Sequence, residues 1–501
     1  MLEEADKLRV LHDGTHKTRI NHLVRCRDKQ RMPGVGEMHT INREARDRGD
    51  IMMAILGDFK GAHRTIKICQ DEWGMLGCKL RSPTTWVNKV GTFGCSSAAY
   101  WWGRLAGALL RCVWGLLGAG NPLEALLFAD DLALFTVGAG GRKSGVLFIF
   151  YLILLGSPLK WKKFRGGFNV DWIGLHLCMK EFSLGLSEAR AGWVISWISS
   201  TLATGKVGTR EMAGALGRLN FAATALIYEK AFLGILYLWT SAILQGKAEV
   251  VSLPWAVRLV LTWLHRRLVG GHRLQVTPNI PTASEDELFR SDAKAETGGL
   301  ATIGGWECAR SCPPGKARWF FLAVTEDWAP WAFAKKSDPQ RVIATLELLG
   351  TLLCIMLFGD DWRDQLRGSG CISGGTDNKG NTYAVSKLLS TKWPLTSLLL
   401  ELSEQLRVRS LDLHLLWRRR DTNTEADSIT NGDFSLFDPA LRVPCDPATL
   451  PWKVLPEVME ASRTLYETII TERELARVEG KRKPSWSKLA AGKRFRTTQP
   501  W

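Results

Sequence analysis

Residues 124–137 read E-A-L-L-F-A-D-D-L-A-L-F-T-V, two apolar strand-like runs that flank the adjacent carboxylates Asp130 and Asp131. The pattern predicts a β-hairpin with both acids at its tip. Like charges side by side on an apolar hairpin raise each other's pKa and cost stability unless a cation neutralises them, so a divalent metal is the expected partner. An isolated Asp-Asp between strands is more often a plain turn former. Here the upstream sequence argues for more. The run 51–56 delivers Asp58 to a strand end, F-K-G-A-H-R-T-I-K-I follows it, and Phe93-Gly94-Cys95-Ser96-Ser97-Ala98 opens a helix.

Outward from these acids, the chain of 501 residues with 46% hydrophobic content needs several cores. Its 66 Lys+Arg against 50 Asp+Glu, a formal +16, point to an anionic partner, nucleic acid and acidic membrane surface alike. The 11 cysteines form no C-x-x-C pair, and Cys308 and Cys312 lack the nearby histidines of a zinc site, so a reducing compartment is expected. The longest apolar run lies between Gly145 and Gly156, short of the ~20 residues that span a bilayer. With acidic Glu3 and Glu4 at the start, neither a secretory signal nor a membrane span is expected. An intracellular location, cytoplasmic or nuclear, follows as the expectation.

Residues 1–50 are charged and show no apolar periodicity. The stretch 51–186 alternates strand-like runs with glycine-bounded turns and a helix over 96–117, an α+β pattern. From Ser187 to residue 275 helical spacing takes over: Trp193, Val194, Trp197, Ile198 and Leu202, then Met212, Leu216 and Leu219 after Thr209. Residues 276–286 read as a linker. Residues 287–436 give three strands near 287–292, 299–306 and 317–324, and a long helix over 339–358. A strand over 370–376, helices over 381–408, a strand over 410–417 and a helix at 424–430 complete this α/β order. Residues 437–501 read as a basic tail, with nine Lys+Arg against three glutamates from Thr471 onward.

A second set of acids lies in that α/β stretch: Asp292 in F-R-S-D-A-K-A, Glu347 in T-L-E-L-L-G, Asp377 in G-G-T-D-N-K-G-N and Asp427 in N-T-E-A-D-S-I. They occupy four different elements. On the long helix, Ile343, Leu346, Leu349, Leu353 and Leu357 form an apolar stripe whose edge Glu347 interrupts, a costly place for a carboxylate without a partner. Taken singly, Asp377 reads as a helix cap, Asp427 as surface and Glu347 as a solvated neighbour; a shared metal site would unite them.

These motifs in this order resemble reverse transcriptases, particularly those of long-terminal-repeat and DIRS-like retrotransposons. The resemblance implies an α+β polymerase palm with a helical thumb and connection, followed by a ribonuclease H-like domain. It makes Asp58 and Asp130 metal-bridging ligands with Asp131 in support, and Lys163 of L-K-W-K-K-F a proton donor to pyrophosphate. Phe93, Gly94 and Ser97 would support template and nucleotide, and Trp172-Ile173-Gly174 would form a primer-grip hairpin. Asp292, Glu347, Asp377 and Asp427 would hold two metals against an RNA strand. Two Mg²⁺ per site, with Mn²⁺ as a substitute, are the implied cofactors. The implied partners are an RNA template, a DNA primer, an RNA/DNA hybrid and dNTPs, with no membrane.

Three features depart from the family. Only 57 residues precede Asp58, so the fingers region is truncated or diverged; His63 stands where an aromatic ring usually excludes the ribose 2′-hydroxyl; and Arg418-Arg419-Arg420-Asp421 lacks the usual histidine or glycine. The competing reading is a decayed retroelement copy that binds nucleic acid without catalysis. A basic binding protein with accidental acids is disfavoured by the full set of seven.

Overall fold

The computed structural model describes residues 2–478 apart from 5–6, 10–13, 16–18, 80–82, 247, 281–286, 297–298, 310–311 and 367–369. Much of the expected linker and the end of the expected tail, beyond 478, therefore lie outside the described residues. The chain divides into two compact units, 1–184 and 185–501.

In the first unit, helix α1 (Val35–Arg48) precedes strand β1 (Met52–Asp58), where buried Met52, Ala54 and Leu56 alternate with half-buried neighbours before Gly57 and Asp58 are buried in turn. Helix α2 (Ser96–Leu117), strands β2 (Leu123–Phe128) and β3 (Asp131–Val137), helix α3 (Gly138–Leu154) and strand β4 (Arg165–Gly167) follow. The sheet runs β2-β3-β1-β4, antiparallel throughout. Phe59, Trp102, Leu132, Leu134, Phe148 and Leu152 make its core. A Cβ at Gly141 would sit 2.4 Å from the Pro122 carbonyl oxygen, so only glycine lets the first turn of α3 approach the sheet this closely. Strands β5 (Asn169–Trp172) and β6 (Leu175–Cys178) form a hairpin through Ile173 and Gly174, both at positive φ (44° and 84°), the sense that suits a two-residue hairpin turn.

The second unit opens with helices α4 (Glu188–Thr204), α5 (Thr209–Ala225), α6 (Leu233–Ile243) and α7 (Trp255–Val269), packed around Val194, Ile198, Met212, Leu236 and Val260. A five-stranded sheet follows: β7 (Phe289–Ala295), β8 (Ala301–Glu307), β9 (Trp319–Val324), β10 (Gly370–Thr376) and β11 (Leu411–Trp417), ordered β9-β8-β7-β10-β11. The first three strands pair antiparallel, and β10 joins β7 and β11 in parallel. Helix α8 (Ile343–Gln365) connects β9 to β10, helices α9 (Lys379–Lys387) and α10 (Leu395–Arg409) connect β10 to β11, and α11 (Thr424–Thr430) packs on β7 and β8.

Several elements differ from their sequence reading. The expected one-sided stripe on α8 is a helix buried on nearly every side, from Thr345 to Met356. The stretch 339–365, interrupted by Thr345, Glu347, Gly350 and Thr351, is long and apolar enough by composition to cross a bilayer, and 83% of its apolar window is buried inside the protein. Residues 455–478 are not tail but helix α12 (Leu455–Val478), which buries Val458, Ala461, Leu465 and Ile469 against the helical core. In 1–50, α1 buries Met38, Ile41 and Ala45 together with His39 and Asn42, so a half-polar buried face hid the period.

Candidate functional site

The register of the first sheet sets Asp58, the last residue of β1, opposite Asp131, the first of β3. Asp130 lies in the two-residue turn from β2 to β3, and the Phe59 amide donates to its carbonyl at 2.9 Å. Asp58 is 3% exposed, and each of its carboxylate oxygens accepts a bond from a lysine, Oδ1 from Lys160 and Oδ2 from Lys163. Lys160 Nζ also reaches Asp130 Oδ2 at 3.8 Å. Its placement is local: the Lys160 amide donates to the Asp58 carbonyl at 2.8 Å, so this segment runs along the end of β1, and Lys163 follows one short turn later. Burial pushes the Asp131 carboxyl up, and Asp130 and Asp58 add to the rise. The bond to Asp58 holds the Lys163 ammonium above its usual range.

Lys163 is thus a counter-ion of Asp58. Lys160, which sequence reading passed over in the same basic run, bridges Asp58 and Asp130. Lys160 is shared by two carboxylates whose oxygen donors would suit Mg²⁺; an ion held by both would have to displace this ammonium. Lys160→Met is therefore expected to lower the stability of the metal-free protein by about 2–3 kcal/mol, a discounted cost for a buried carboxylate losing a partly exposed partner. It should also tighten Mg²⁺ binding. Thermal unfolding with and without Mg²⁺ checks both, and unchanged melting in metal-free buffer would refute the role given to Lys160.

Around these acids, His63 is half-buried and meets Phe93 edge-on with ring centroids 5.2 Å apart. Burial lowers its pKa, with Asp130 opposing, so the neutral imidazole dominates at pH 7. The carbonyl of Gly94, at φ 95°, accepts from Asn21 Nδ2 at 2.7 Å, while Asn21 Oδ1 accepts the Ser96 backbone N–H, in the first turn of α2, at 2.9 Å. Ser97 lines a cavity of about 340 Å³ with Arg25, Arg27, Tyr100, Trp101 and Arg104. Trp172 is only 3% exposed, so its ring is core and cannot stack on a nucleic acid; the half-buried turn Ile173-Gly174 is the accessible part of that hairpin. Trp101 and Trp161 are exposed, as a ring that stacks on a base has to be, and Trp102 is buried.

In the second unit, Asp292 on β7, Glu347 on α8 and Asp377 directly after β10 bring one carboxylate oxygen each within 4.8 Å of the others. Among the described residues this is the one such group of three; Asp58, Asp130 and Asp131 do not form another. Asp427 on α11 is near enough to raise the Asp292 pKa, but its carboxylate is held by Asn431 at 2.9 Å and does not join the three. Asp292 is 3% exposed and pushed up to about 6, mainly by burial, although Thr430 donates to it at 2.9 Å. Burial, then Asp377 and Asp292, push Glu347 up to about 9. Sequence reading missed Thr430, Asn431 and Trp417, whose indole donates to the Asp377 carbonyl at 3.0 Å. It noted Arg420 only as a departure; its guanidinium lies 3.9 Å from the Asp377 carboxylate.

Three crowded acids, two of them buried, are what a divalent cation would relieve, and the donor set fits Mg²⁺ or Mn²⁺. The protonation state sets the sign of a pH effect. Without metal, the folded chain keeps a proton on Glu347 that the unfolded chain loses near pH 4.5, so stability falls as pH rises from there toward 9. Metal binding must expel that proton. Calorimetric titration with Mn²⁺ at pH 7 in two buffers of different ionisation enthalpy should show about one proton released at this site, and Glu347→Gln should abolish the release. Equal enthalpies in both buffers for the parent protein would contradict it.

Taken together, the chain is a mixed α/β protein with an acidic hairpin site in one unit and a carboxylate triad at a mixed sheet in the other. Its sequence matches no protein-family model and no curated protein. Among solved structures it is similar to a foamy viral protease-reverse transcriptase in complex with double-stranded DNA, at 12% identity and a TM-score of 0.43, over 83% of this chain and 64% of that one. It is also similar to a foamy viral protease-reverse transcriptase in complex with an RNA/DNA hybrid, at 11% identity and a TM-score of 0.41, over 79% of this chain and 47% of that one. The chain spans less than two thirds of the length of either.

Proposed function

We propose that this chain is an RNA-directed DNA polymerase of a retroelement that also carries ribonuclease H activity on RNA/DNA hybrids. The observation that carries the reading is the pairing, in one chain, of two carboxylate sites: Asp58 opposite Asp131 beside Asp130 at the end of a hairpin, and Asp292 within β7 with Glu347 on α8 and Asp377 just after β10. In this reading 51–186 is the palm, 187–275 the thumb and connection, and 287–436 the ribonuclease H-like domain.

At the first site Asp58 and Asp130 would hold the ions, with Asp131 in support. Two Mg²⁺ ions, when bound, stabilise the charge that develops on the attacking and leaving oxygens of a phosphoryl transfer. Lys160 and Lys163, once displaced from Asp58, offer ammonium groups to the negative charge of a triphosphate. The cavity beside Ser97, with three arginines and two aromatic rings, suits the phosphates and bases of a template strand. Arg25 and Arg27 would supply its cationic contacts, Arg104 being paired with Asp28.

At the second site Asp292, Glu347 and Asp377 would hold the ions and Asp427 would complete the set after leaving Asn431. Arg420, close to Asp377, would face the phosphates of the RNA strand. Primer extension on an RNA template with Mg²⁺ tests the reading: labelled primer should lengthen and chelation should stop it, whereas a folded protein that binds the duplex without extending it would favour a catalytically dead copy.

A further inference from the structure

Ala129, the residue before Asp130, sits at φ 52°, in the left-handed region that a two-residue hairpin turn uses and that a residue bearing Cβ adopts uncommonly. Its carbonyl oxygen accepts a hydrogen bond from Trp102 Nε1 at 2.9 Å. Trp102 is 2% exposed on α2, and its ring meets Phe59 edge-on with centroids 5.3 Å apart. The Phe59 amide in turn bonds the Asp130 carbonyl. One buried indole therefore touches both chain segments that carry the acids, the peptide leading into Asp130 and the residue following Asp58. Packing alone would need only a ring; the N–H is aimed at the peptide of the turn.

We infer that Trp102 is a positioning residue for the acidic turn: its indole N–H holds the Ala129 carbonyl and fixes the left-handed geometry that keeps the Asp130 carboxylate on Lys160, the cation it shares with Asp58. The inference rests on the polymerase reading of this site. Helix α2 begins at the segment proposed to contact template and nucleotide, so the same helix that meets the duplex would also set the ligand geometry.

The test compares Trp102→Phe, Ala129→Gly and the double variant, each in an Asp377→Asn background that silences the second site. Mn²⁺ binding to the free protein is read by electron paramagnetic resonance, and primer extension is split into kcat and dNTP KM. Trp102→Phe is expected to weaken Mn²⁺ binding about fivefold to tenfold, the usual reach of one hydrogen bond. It should lower kcat by a similar factor and leave KM within about twofold. Glycine visits positive φ freely, so Ala129→Gly should recover most of the loss in the double variant. A merely space-filling tryptophan would show no such rescue. If phenylalanine leaves the protein unfolded by circular dichroism, benzothienylalanine at position 102 keeps the ring shape and removes only the N–H. Mn²⁺ affinity and kcat within twofold of the parent, or a loss that Ala129→Gly does not relieve, would overturn the inference. Asp130→Asn separates this from the parent reading: a folded parent that does not extend primers, or an Asp130→Asn variant that extends normally, defeats the polymerase assignment, while the Mn²⁺ comparison still decides the role of Trp102.

Discussion

Asp58→Asn is expected to lower primer extension by about a thousandfold or more while leaving hybrid cleavage within about twofold. Asparagine keeps the volume of the buried side chain and can still accept one bond from a lysine. It removes the charge that binds two ammoniums in the metal-free protein and, in the proposed reaction, a pair of divalent ions. The loss should appear in kcat, because metal ligation is realised most strongly in the transition state. The variant also leaves Lys160 and Lys163 short of a counter-charge, so a modest fall in melting temperature accompanies it. Single-turnover extension by the folded variant at a rate near the parent's would exclude Asp58 from the chemistry.

The converse effect is expected of Asp377→Asn, which should abolish cleavage of RNA in a hybrid, again by about a thousandfold or more, and spare DNA synthesis. Asp377 is the most accessible of the triad and its backbone is anchored by Trp417, so the substitution changes charge with little change in position. With one of three converging carboxylates neutral, the crowding that pushes Glu347 up eases. The Glu347 pKa should fall, and the proton released on metal binding at pH 7 should fall with it. Cleavage assays on a labelled RNA strand paired to DNA measure the first effect. Retention of cleavage with loss of synthesis would reverse the assignment of the two sites.

The hairpin was legible because its two apolar runs and its acids lie within fourteen consecutive residues, a local pattern that fixes strand, turn and strand. The order of elements after residue 287 was legible for the same reason, each strand and helix having its own periodicity and punctuation. Contacts distant in sequence were not. Lys160 meets Asp58 across 102 positions, and the Trp102 indole meets a backbone carbonyl 27 residues away, with nothing in either residue's neighbourhood to announce the partner. Asp427 illustrates the opposite limit: its motif suggested a ligand, yet its carboxylate bonds Asn431, four residues on along the same chain, and lies outside the group of three. Helix α12 was hidden by charge. Val458, Ala461, Leu465 and Ile469 form a narrow stripe among acidic and basic neighbours, which a reading weighted by net charge took for tail.

The most direct measurement of the central claim uses one tube: the full chain, an RNA template annealed to a labelled DNA primer, all four dNTPs and Mg²⁺, with both strands followed on a denaturing gel. The account predicts that the DNA primer lengthens, that the paired RNA is cut, and that Asp58→Asn and Asp377→Asn each remove one of these products and leave the other. A folded chain that binds the duplex yet neither extends the DNA nor cuts the RNA, with Mg²⁺ or Mn²⁺, would contradict it.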